Sequence, residues 1–293
     1  MTDLNVHLAL CQRLLETDAK PVTSHPGYAG TRVLRASTAA HGDVIVKIHR
    51  SAERHNQEVH AYRTWVPALG DRAPRLLATT DEPPAVVITA IAGVPLSERR
   101  LNPTAEKNAY GQAGQLLKTL HAAGPPRLEP DWTAWLADRA EYWIHHAGER
   151  ITTSYRAEVR AQMRALQDLA PLPAVPCHLD FMPRNMLYGD DGIVRLIDFE
   201  HSRYDLAPRD LVRLATRIWP LRPDLRESFL NTYGPLTAAN ENVIQHCAHL
   251  DVLTKEIRLR SPSPKCSQDQ PTSARWDISM QDPANHKFTI EAG

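Results

Sequence analysis

Four polar residues near the middle of the chain have types and spacing that could support chemistry. His178 and Asp180 lie in the run HLDFMPRN, Asn185 follows five positions after Asp180, and Asp198 lies in the apolar run RLIDFE. Carboxylate and amide oxygens suit Mg²⁺, and a carboxylate can also accept a proton from a hydroxyl group. The pattern therefore predicts a metal and phosphate site, with Asp180 as proton acceptor and Asn185 and Asp198 as metal ligands.

The same stretch also admits a plainer interpretation. The run GDDG, which contains Asp190 and Asp191, separates two short apolar segments, and Asp-Gly pairs favour the turns of β-hairpins. The other polar residues would then simply fall near the ends of a hairpin. Asp190 and Asp191 are predicted to be turn residues in either interpretation.

A lysine and a glutamate in the first hundred residues add to the first interpretation. Lys47 lies inside the β-prone run VIVKI, where an unpaired ammonium group would be costly, and Glu58 lies in the helical stretch that follows. Glu58 is predicted to pair with Lys47, which could then hold nucleotide phosphates. By themselves these two residues would indicate only a surface ion pair, but the downstream motif favours the phosphate role.

Two kinds of pattern must position these residues. Up to about residue 93 the chain is β-rich, with an antiparallel hairpin predicted at 28–48, a helix after it and two strands within 74–91. Beyond it, long helical patterns dominate, and the short β element of the HLDFMPRN region is inserted among them. The helices predicted in this part cover 104–124, 131–150, 154–172, 208–219 and 237–260.

The layout resembles one known family. HLDFMPRN and LIDFE match the H-x-D-x-x-x-x-N and [ILV]-D-[FW]-[DE] motifs of the aminoglycoside phosphotransferases, antibiotic kinases with a kinase-like fold that are related to choline kinases. AGVPL, GQLLKTLHA and YDLAPRDLVRL extend the resemblance over 28–219. It implies an α+β, bilobal, protein-kinase-like fold, with a small β-rich nucleotide-binding N-lobe (1–93) and a larger helical catalytic and substrate-binding C-lobe (94–260). Residues 261–293 lose periodicity and are rich in Ser, Pro, Gln and Asp, which predicts a polar, disordered or loosely docked tail.

The resemblance also implies an activity and roles for particular residues. The protein would be an ATP-dependent O-phosphotransferase that uses Mg²⁺, with GTP as the alternative nucleotide and Asp180 as the catalytic residue. His178 and Asp210 would support the catalytic loop, and the turn at 28–31 is a further region of nucleotide contact. The nucleotide-binding residues would be Lys47, Glu58, Thr89 and Ile91.

The acceptor implied by the resemblance is a hydroxyl of a cationic antibiotic, an aminoglycoside or a basic cyclic peptide. Acidic residues that could contact it are Glu200, Asp205, Asp138 and Glu141. Two alternatives stay open: a metabolic kinase for choline, homoserine or a sugar-like alcohol, and a kinase-fold binding protein that no longer transfers phosphate. The arginines that follow the second motif are interpreted as a solvated helix face; they are Arg203, Arg209, Arg213 and Arg217.

Composition narrows the class of protein further. In 293 residues, 34 basic side chains balance 34 acidic ones, which disfavours nucleic acid and anionic membranes as partners. Four cysteines form no C-x-x-C pair, and no segment approaches the roughly 20 apolar residues of a membrane span. We expect a soluble cytoplasmic protein, a monomer or homodimer, whose partners are small molecules.

Overall fold

The structure of the protein is a computed structural model that describes residues 3–26, 32–128, 132–169 and 171–260. Two expectations lie outside these residues, namely the nucleotide-contacting turn at 28–31 and the polar tail at 261–293. Within the described ranges the fold is α+β and bilobal, as the motifs predict. The boundary near residue 93 stays a prediction.

The smaller lobe is built on an antiparallel sheet. Its strands are β1 (Ala19–Pro26), β2 (Arg32–Thr38), β3 (Gly42–Ile48), β4 (Leu76–Asp81) and β5 (Pro84–Thr89). They are ordered β1-β2-β3-β5-β4 across the sheet. Helix α1 (Asp3–Leu15) packs on one face, and helix α2 (Ala52–Thr64) packs on the other.

Strand β3 shows why Lys47 faces the rest of the molecule. Its side chains alternate between the two faces of the sheet, as in any strand. Val44 and Val46 are fully buried in the cluster that contains α1, whereas Ile45 packs against the main core on the opposite face. Lys47 shares the face of Ile45, which directs its ammonium group toward α2 and the helical lobe.

The larger lobe is mainly helical. Its helices are α3 (Pro103–His121), α4 (Trp132–Ala147), α5 (Thr153–Gln167), α6 (Val212–Arg217), α7 (Pro223–Tyr233) and α8 (Ala238–Arg260). Short strands lie among them: β6 (Val94–Pro95), β7 (Ala174–Cys177), β8 (Met186–Tyr188), β9 (Val194–Leu196) and β10 (Arg203–Leu206). β8 and β9 form a hairpin extended by β6, and β10 pairs with β7. The β8–β9 turn contains Asp190 and Asp191, as predicted.

Most elements fall where the sequence patterns place them, but three do not. The patterns missed β1, the β7–β10 pair and α7. β1 contains Pro21, which disfavours a strand in the sequence, but the strand lies at the edge of the sheet, where a missing N–H is tolerated. Within the described residues, no helix is both long and apolar enough to cross a membrane.

Helices α3 and α7 make a close contact that depends on one glycine. A Cβ atom on Gly114 would lie 2.3 Å from the carbonyl oxygen of Phe229 and 2.5 Å from Oγ1 of Thr232. Gly111, one turn earlier on α3, has more room, because its Cβ would meet the carbonyl oxygen of Ser228 at 3.4 Å. The backbone approach at Gly114 keeps Phe229 in the main core.

We predict opposite effects for alanine at these two glycines. Gly114→Ala should lower the free energy of unfolding by about 1–3 kcal/mol, because the methyl group forces α3 and α7 apart. Gly111→Ala is the matched control and should be neutral or stabilising by up to about 1 kcal/mol, since alanine favours helix over glycine. Urea denaturation of both variants tests this, and equal loss of stability would contradict the proposed contact.

Candidate active site

The buried ammonium group of Lys47 lies at the junction of three segments. Its Nζ is 3.2 Å from Oε2 of Glu58 on α2, 2.8 Å from Oδ1 of Asp198 and 2.8 Å from Oε2 of Glu200. Glu58 is itself buried and also contacts Nε2 of His49 at 2.9 Å. The predicted ion pair of Lys47 with Glu58 is therefore present, and it joins the sheet to the segment that follows β9.

The charges of this cluster stabilise one another. Burial by itself would lower the pKa of Lys47, but the carboxylates of Glu58, Asp198 and Glu200 raise it well above its ordinary value. Burial would likewise raise the pKa of Glu58, but the Lys47 ammonium lowers it. Lys47 is thus held as a cation beside the acidic segment, as a phosphate-binding lysine must be.

The catalytic-loop motif connects β7 to β8, and His178 organises it from within. The amide of Asp180 donates to Nδ1 of His178 at 3.2 Å, which makes Nε2 the protonated nitrogen, and Nε2 donates to the carbonyl of Ile197 at 3.0 Å. His178 thereby ties the loop that carries Asp180 to the residue before Asp198. The supporting role of His178 stays a prediction, which these two hydrogen bonds favour.

Asp210 holds the same loop from the opposite side. Its buried carboxylate accepts hydrogen bonds from the amides of His178, at 2.8 Å, and Leu179, at 2.5 Å, and lies 3.0 Å from Nε2 of His121. Burial would raise the pKa of Asp210, but the hydrogen bond with His121 lowers it. Leu179 has φ of +61°, a strained value for a branched residue, and these bonds hold it there.

Asp180 and Asn185 are in direct contact. Nδ2 of Asn185 donates to Oδ2 of Asp180 at 2.8 Å and to the carbonyl of Asp180 at 2.9 Å. Both amide hydrogens are thereby used, so the amide oxygen of Asn185 is the atom available to a metal. The amide of Ile197 donates to the carbonyl of Asn185 at 3.0 Å, which brings Asp198 next to this pair.

Two arginines neutralise Asp180. Arg184 Nη2 lies 2.7 Å from each carboxylate oxygen, and Arg213 Nη1 also contacts Oδ1. Burial would raise the pKa of Asp180, but the charges of Arg213 and Arg184 lower it. The carboxylate is therefore ionised at neutral pH, as a proton acceptor requires.

The donors at Asn185 and Asp198 fit Mg²⁺. An amide oxygen and a partly exposed carboxylate are hard ligands of the type that Mg²⁺ binds, and nearby Glu200 supplies another carboxylate. Asp198 has φ of +68°, a second strained position in this site. Asn185 and Asp198 could thus hold the ion together with nucleotide phosphates.

Three further residues that the sequence predicts to bind ligands are Thr89, Ile91 and Glu200, and their binding roles stay predictions. Thr89 ends β5, where its amide donates to the carbonyl of Arg75 and its hydroxyl accepts from the Arg75 amide, while half-buried Ile91 follows in the connection to β6. Glu200 faces Lys47 and His201, so it lies on the side of the predicted phosphate and metal groups.

The acids expected to attract a cationic acceptor are not gathered at Asp180. Asp205 is completely buried and paired with Arg203 and Arg209, so its carboxylate is inaccessible to a substrate. Asp138 and Glu141 are exposed on α4, and Glu141 pairs with Arg160 on α5 at 2.7 Å.

The interpretation of the later arginines as a solvated face is wrong. All four are largely buried and ion-paired: Arg203 and Arg209 contact nearby Asp205, whereas Arg213 and Arg217 contact acids more than 30 positions away. Arg213 and Arg217 both contact Asp251 of α8. The contacts of Arg184 and Arg213 with Asp180 were missed as well; the position of Arg184 four residues after Asp180 was the only sequence signal.

Comparison with known proteins assigns the family. The sequence model of the phosphotransferase enzyme family matches residues 22–242. The chain belongs to this family. The family match and the structural neighbours confirm the predicted resemblance to aminoglycoside phosphotransferases and choline kinases.

Relatives of this phosphotransferase differ in what their names say they act on. Homoserine kinase of Rhodospirillum rubrum is 29% identical over 141 residues, which cover 46% of this chain and 42% of that protein. The match thus spans less than half of the relative's length. Choline kinase LicA of Streptococcus pneumoniae is similar in structure, with a TM-score of 0.62, 18% identity and coverage of 87% of this chain and 90% of that one.

A structural neighbour with bound nucleotide completes the comparison. Aminoglycoside phosphotransferase APH(2'')-Ib in its ADP-bound form has a TM-score of 0.62 at 14% identity, and covers 91% of this chain and 93% of that one. At these identities the two structures establish the shared fold of this chain, and its acceptor has to be inferred from its own residues.

The buried cluster at Lys47 generates a prediction about stability. Lys47→Met should lower the free energy of unfolding by about 3–5 kcal/mol, because it leaves buried Glu58 without its ammonium partner. Lys107→Met is the matched control: Lys107 is exposed and lies 3.8 Å from Asp224, so the loss should be under about 1 kcal/mol. Urea denaturation at pH 7 measures both, and similar losses would contradict the buried-pair argument.

Proposed function

We propose that the protein transfers the γ-phosphate of ATP to a hydroxyl group of a small molecule, with Mg²⁺ as cofactor. The observation that carries this proposal is a continuous chain of contacts from Asp180 through Asn185 and Ile197 to Asp198 and Lys47. It supplies, in adjacent positions, a proton acceptor, two oxygen ligands for a metal and a cation for phosphate. Phosphoryl transfer depends mainly on such positioning and electrostatics.

Each residue has a distinct part in the proposed reaction. Asp180 takes the proton of the acceptor hydroxyl, whose oxygen forms a bond to the γ-phosphorus. The bond between that phosphorus and the oxygen shared with the β-phosphate breaks, and ADP leaves with the electron pair. Mg²⁺ held by Asn185 and Asp198 would neutralise charge on the phosphate oxygens. Lys47 would contact the α and β phosphates while Glu58 keeps its ammonium group in place.

The acceptor has two candidate classes. An antibiotic hydroxyl is suggested by the family and by the fold shared with an aminoglycoside phosphotransferase. A metabolic alcohol is favoured by the sequence match to a homoserine kinase, and by the fact that Asp205 and Glu141 are already paired with arginines. Mass spectrometry after incubation with Mg·ATP and members of both classes would identify the product by its added phosphate.

We predict that Asp180→Asn will lower the rate of phosphate transfer by about 10²- to 10⁴-fold, because the amide cannot take the hydroxyl proton. Binding of Mg·ATP should be retained, since Asp180 acts on the acceptor. Asp190→Asn, in the exposed β8–β9 turn, is the matched control and should keep wild-type activity. Single-turnover product formation measures the effect; undiminished transfer by Asp180→Asn would contradict the role, and no transfer by wild type would indicate a binding protein.

For Asp198→Asn we expect weaker nucleotide binding that depends on the metal. Loss of a direct carboxylate ligand should reduce Mg·ATP affinity by at least the roughly 10- to 100-fold that outer-shell changes cause. ATP affinity without Mg²⁺ should change much less. Titration calorimetry in MgCl₂ and in EDTA measures ATP affinity with and without the metal. Unchanged affinity in MgCl₂ would show that Asp198 does not bind the metal.

A further inference from the structure

A cavity beside the catalytic loop is lined by arginines, which does not suit the cationic acceptors considered above. It has a volume of about 80 Å³ and lies among Leu179 of the loop, Arg213 of α6, Arg139 of α4, and Asp251 and Thr254 of α8. Asp180 does not line it, but both of its chain neighbours, Leu179 and Phe181, do, and Arg213 joins the cavity wall to the Asp180 carboxylate. An acceptor whose hydroxyl reaches Asp180 from this side would therefore meet these residues.

Both oxygens of Asp180 are occupied by guanidinium groups. Arg184 lies 2.7 Å from each of them, and Arg213 contacts Oδ1 as well. An acceptor hydroxyl can bind Asp180 only if at least one of these contacts is given up. Arg213 is the one that lines the cavity, and its side chain is 23% exposed against 54% for Arg184. Displacement of Arg213 from Asp180 therefore leaves a largely buried cation in need of a partner.

Asp251, the other acid that contacts Arg213, is shared with a second arginine. Nε of Arg213 lies 3.1 Å from Oδ1 of Asp251, while Nη2 of Arg217 contacts Oδ2 of the same carboxylate. During transfer Asp180 accepts a proton and loses its own negative charge. Arg213 and Arg217 would then share the single carboxylate of Asp251 at the acceptor end of the site.

Two further acids near the cavity are already engaged by other groups. Asp210 also lines the cavity, but its oxygens accept from the loop amides and His121. Asp205 is buried and paired with Arg203 and Arg209. A cationic acceptor would thus approach guanidinium groups, whereas an anionic group could take the place of Asp180 beside Arg213. The planar guanidinium of arginine suits carboxylate and phosphate oxygens in particular.

We propose that the acceptor is a small hydroxyl compound that carries an anionic group, a carboxylate or a phosphate, and that Arg213 binds this group when it releases Asp180. The proposal rests on the phosphotransferase function proposed above and specifies its substrate class. Binding of the anion would free the catalytic carboxylate for the hydroxyl. Arg213 would accordingly select the acceptor and expose the base in the same movement.

Matched pairs of compounds test the substrate class. L-homoserine is compared with L-homoserine amide, and glycerol 3-phosphate with glycerol, with choline and kanamycin as cationic acceptors. Binding is measured by calorimetry in Mg²⁺ and a non-hydrolysable ATP analogue, and transfer is measured with γ-labelled ATP. We expect one anionic compound to bind at least tenfold more tightly than its neutral or cationic partner. The pair that responds distinguishes a carboxylate from a phosphate.

The binding and transfer measurements distinguish failure of the anionic-acceptor proposal from failure of the proposed phosphotransferase function. Preference for choline or kanamycin, or equal binding within both pairs, would overturn the anionic acceptor even if phosphate is transferred. Selective binding of an anion without transfer of label to any compound would support the anion site and contradict the proposed phosphotransferase function.

The Arg213→Gln variant tests the residue itself. It should weaken binding of the preferred anionic compound by at least tenfold, while binding of its neutral partner and of the nucleotide stays unchanged. Arg226→Gln on α7 is the matched control, since Arg226 pairs with Glu241 on the surface and should affect neither. If Arg213 only supports Asp180, Arg213→Gln will reduce kcat equally for charged and neutral acceptors and leave anion affinity unchanged, which would overturn the proposal.

Discussion

The burial of one positive charge organises the whole molecule. An ammonium group removed from water is stable only if carboxylates take the place of the lost solvent, and Lys47 obtains three of them from two other segments. Glu58 comes from the helix packed on the sheet, whereas Asp198 and Glu200 follow β9 in the other lobe. The lobes are therefore joined electrostatically at the place where a nucleotide would have to bind.

The catalytic loop is held in a strained conformation by hydrogen bonds from outside it. Leu179 and Asp198 both have positive φ values, which cost free energy in residues with a side chain. Asp210 holds the first through two loop amides, and His178 links the loop to the carbonyl of Ile197, next to the second. The strain persists because these bonds are buried, and it directs Asp180, Asn185 and Asp198 toward one another.

The charges on the proposed acceptor side of the site are arranged in the opposite way to those on the proposed nucleotide side. Near Lys47, three carboxylates surround one cation, and Asp198 among them is a proposed ligand of Mg²⁺. Near Asp180, two guanidinium groups contact one carboxylate, and one of them, that of Arg213, shares Asp251 with Arg217. The proposed acceptor would bring the missing negative charge, so that both halves of the site reach balance only when the substrates are bound.

The sequence by itself determined the family and the fold class, and it predicted the residues now proposed for the reaction centre. The spacing within HLDFMPRN and LIDFE reflects local geometry, since a short loop and a hairpin bring Asp180, Asn185 and Asp198 into one region. Asp210 then fixes the conformation of the loop. The pairing of Lys47 with Glu58 was also predictable, because a lysine inside a strand needs a nearby acid. The patterns missed β1, which contains a proline, and the short helix α7, because neither has a strong periodic pattern of apolar residues.

Only the tertiary structure decided what surrounds Asp180. Arg213 lies 33 positions after it and Asp251 a further 38 positions on, and the packing of α6 against α8 brings them together. Charge composition could not reveal this, because an arginine on a solvated helix face and an arginine on a catalytic carboxylate look alike in sequence. Long-range ion pairs depend on where whole helices dock, and that is set by apolar packing around them rather than by the charged residues themselves.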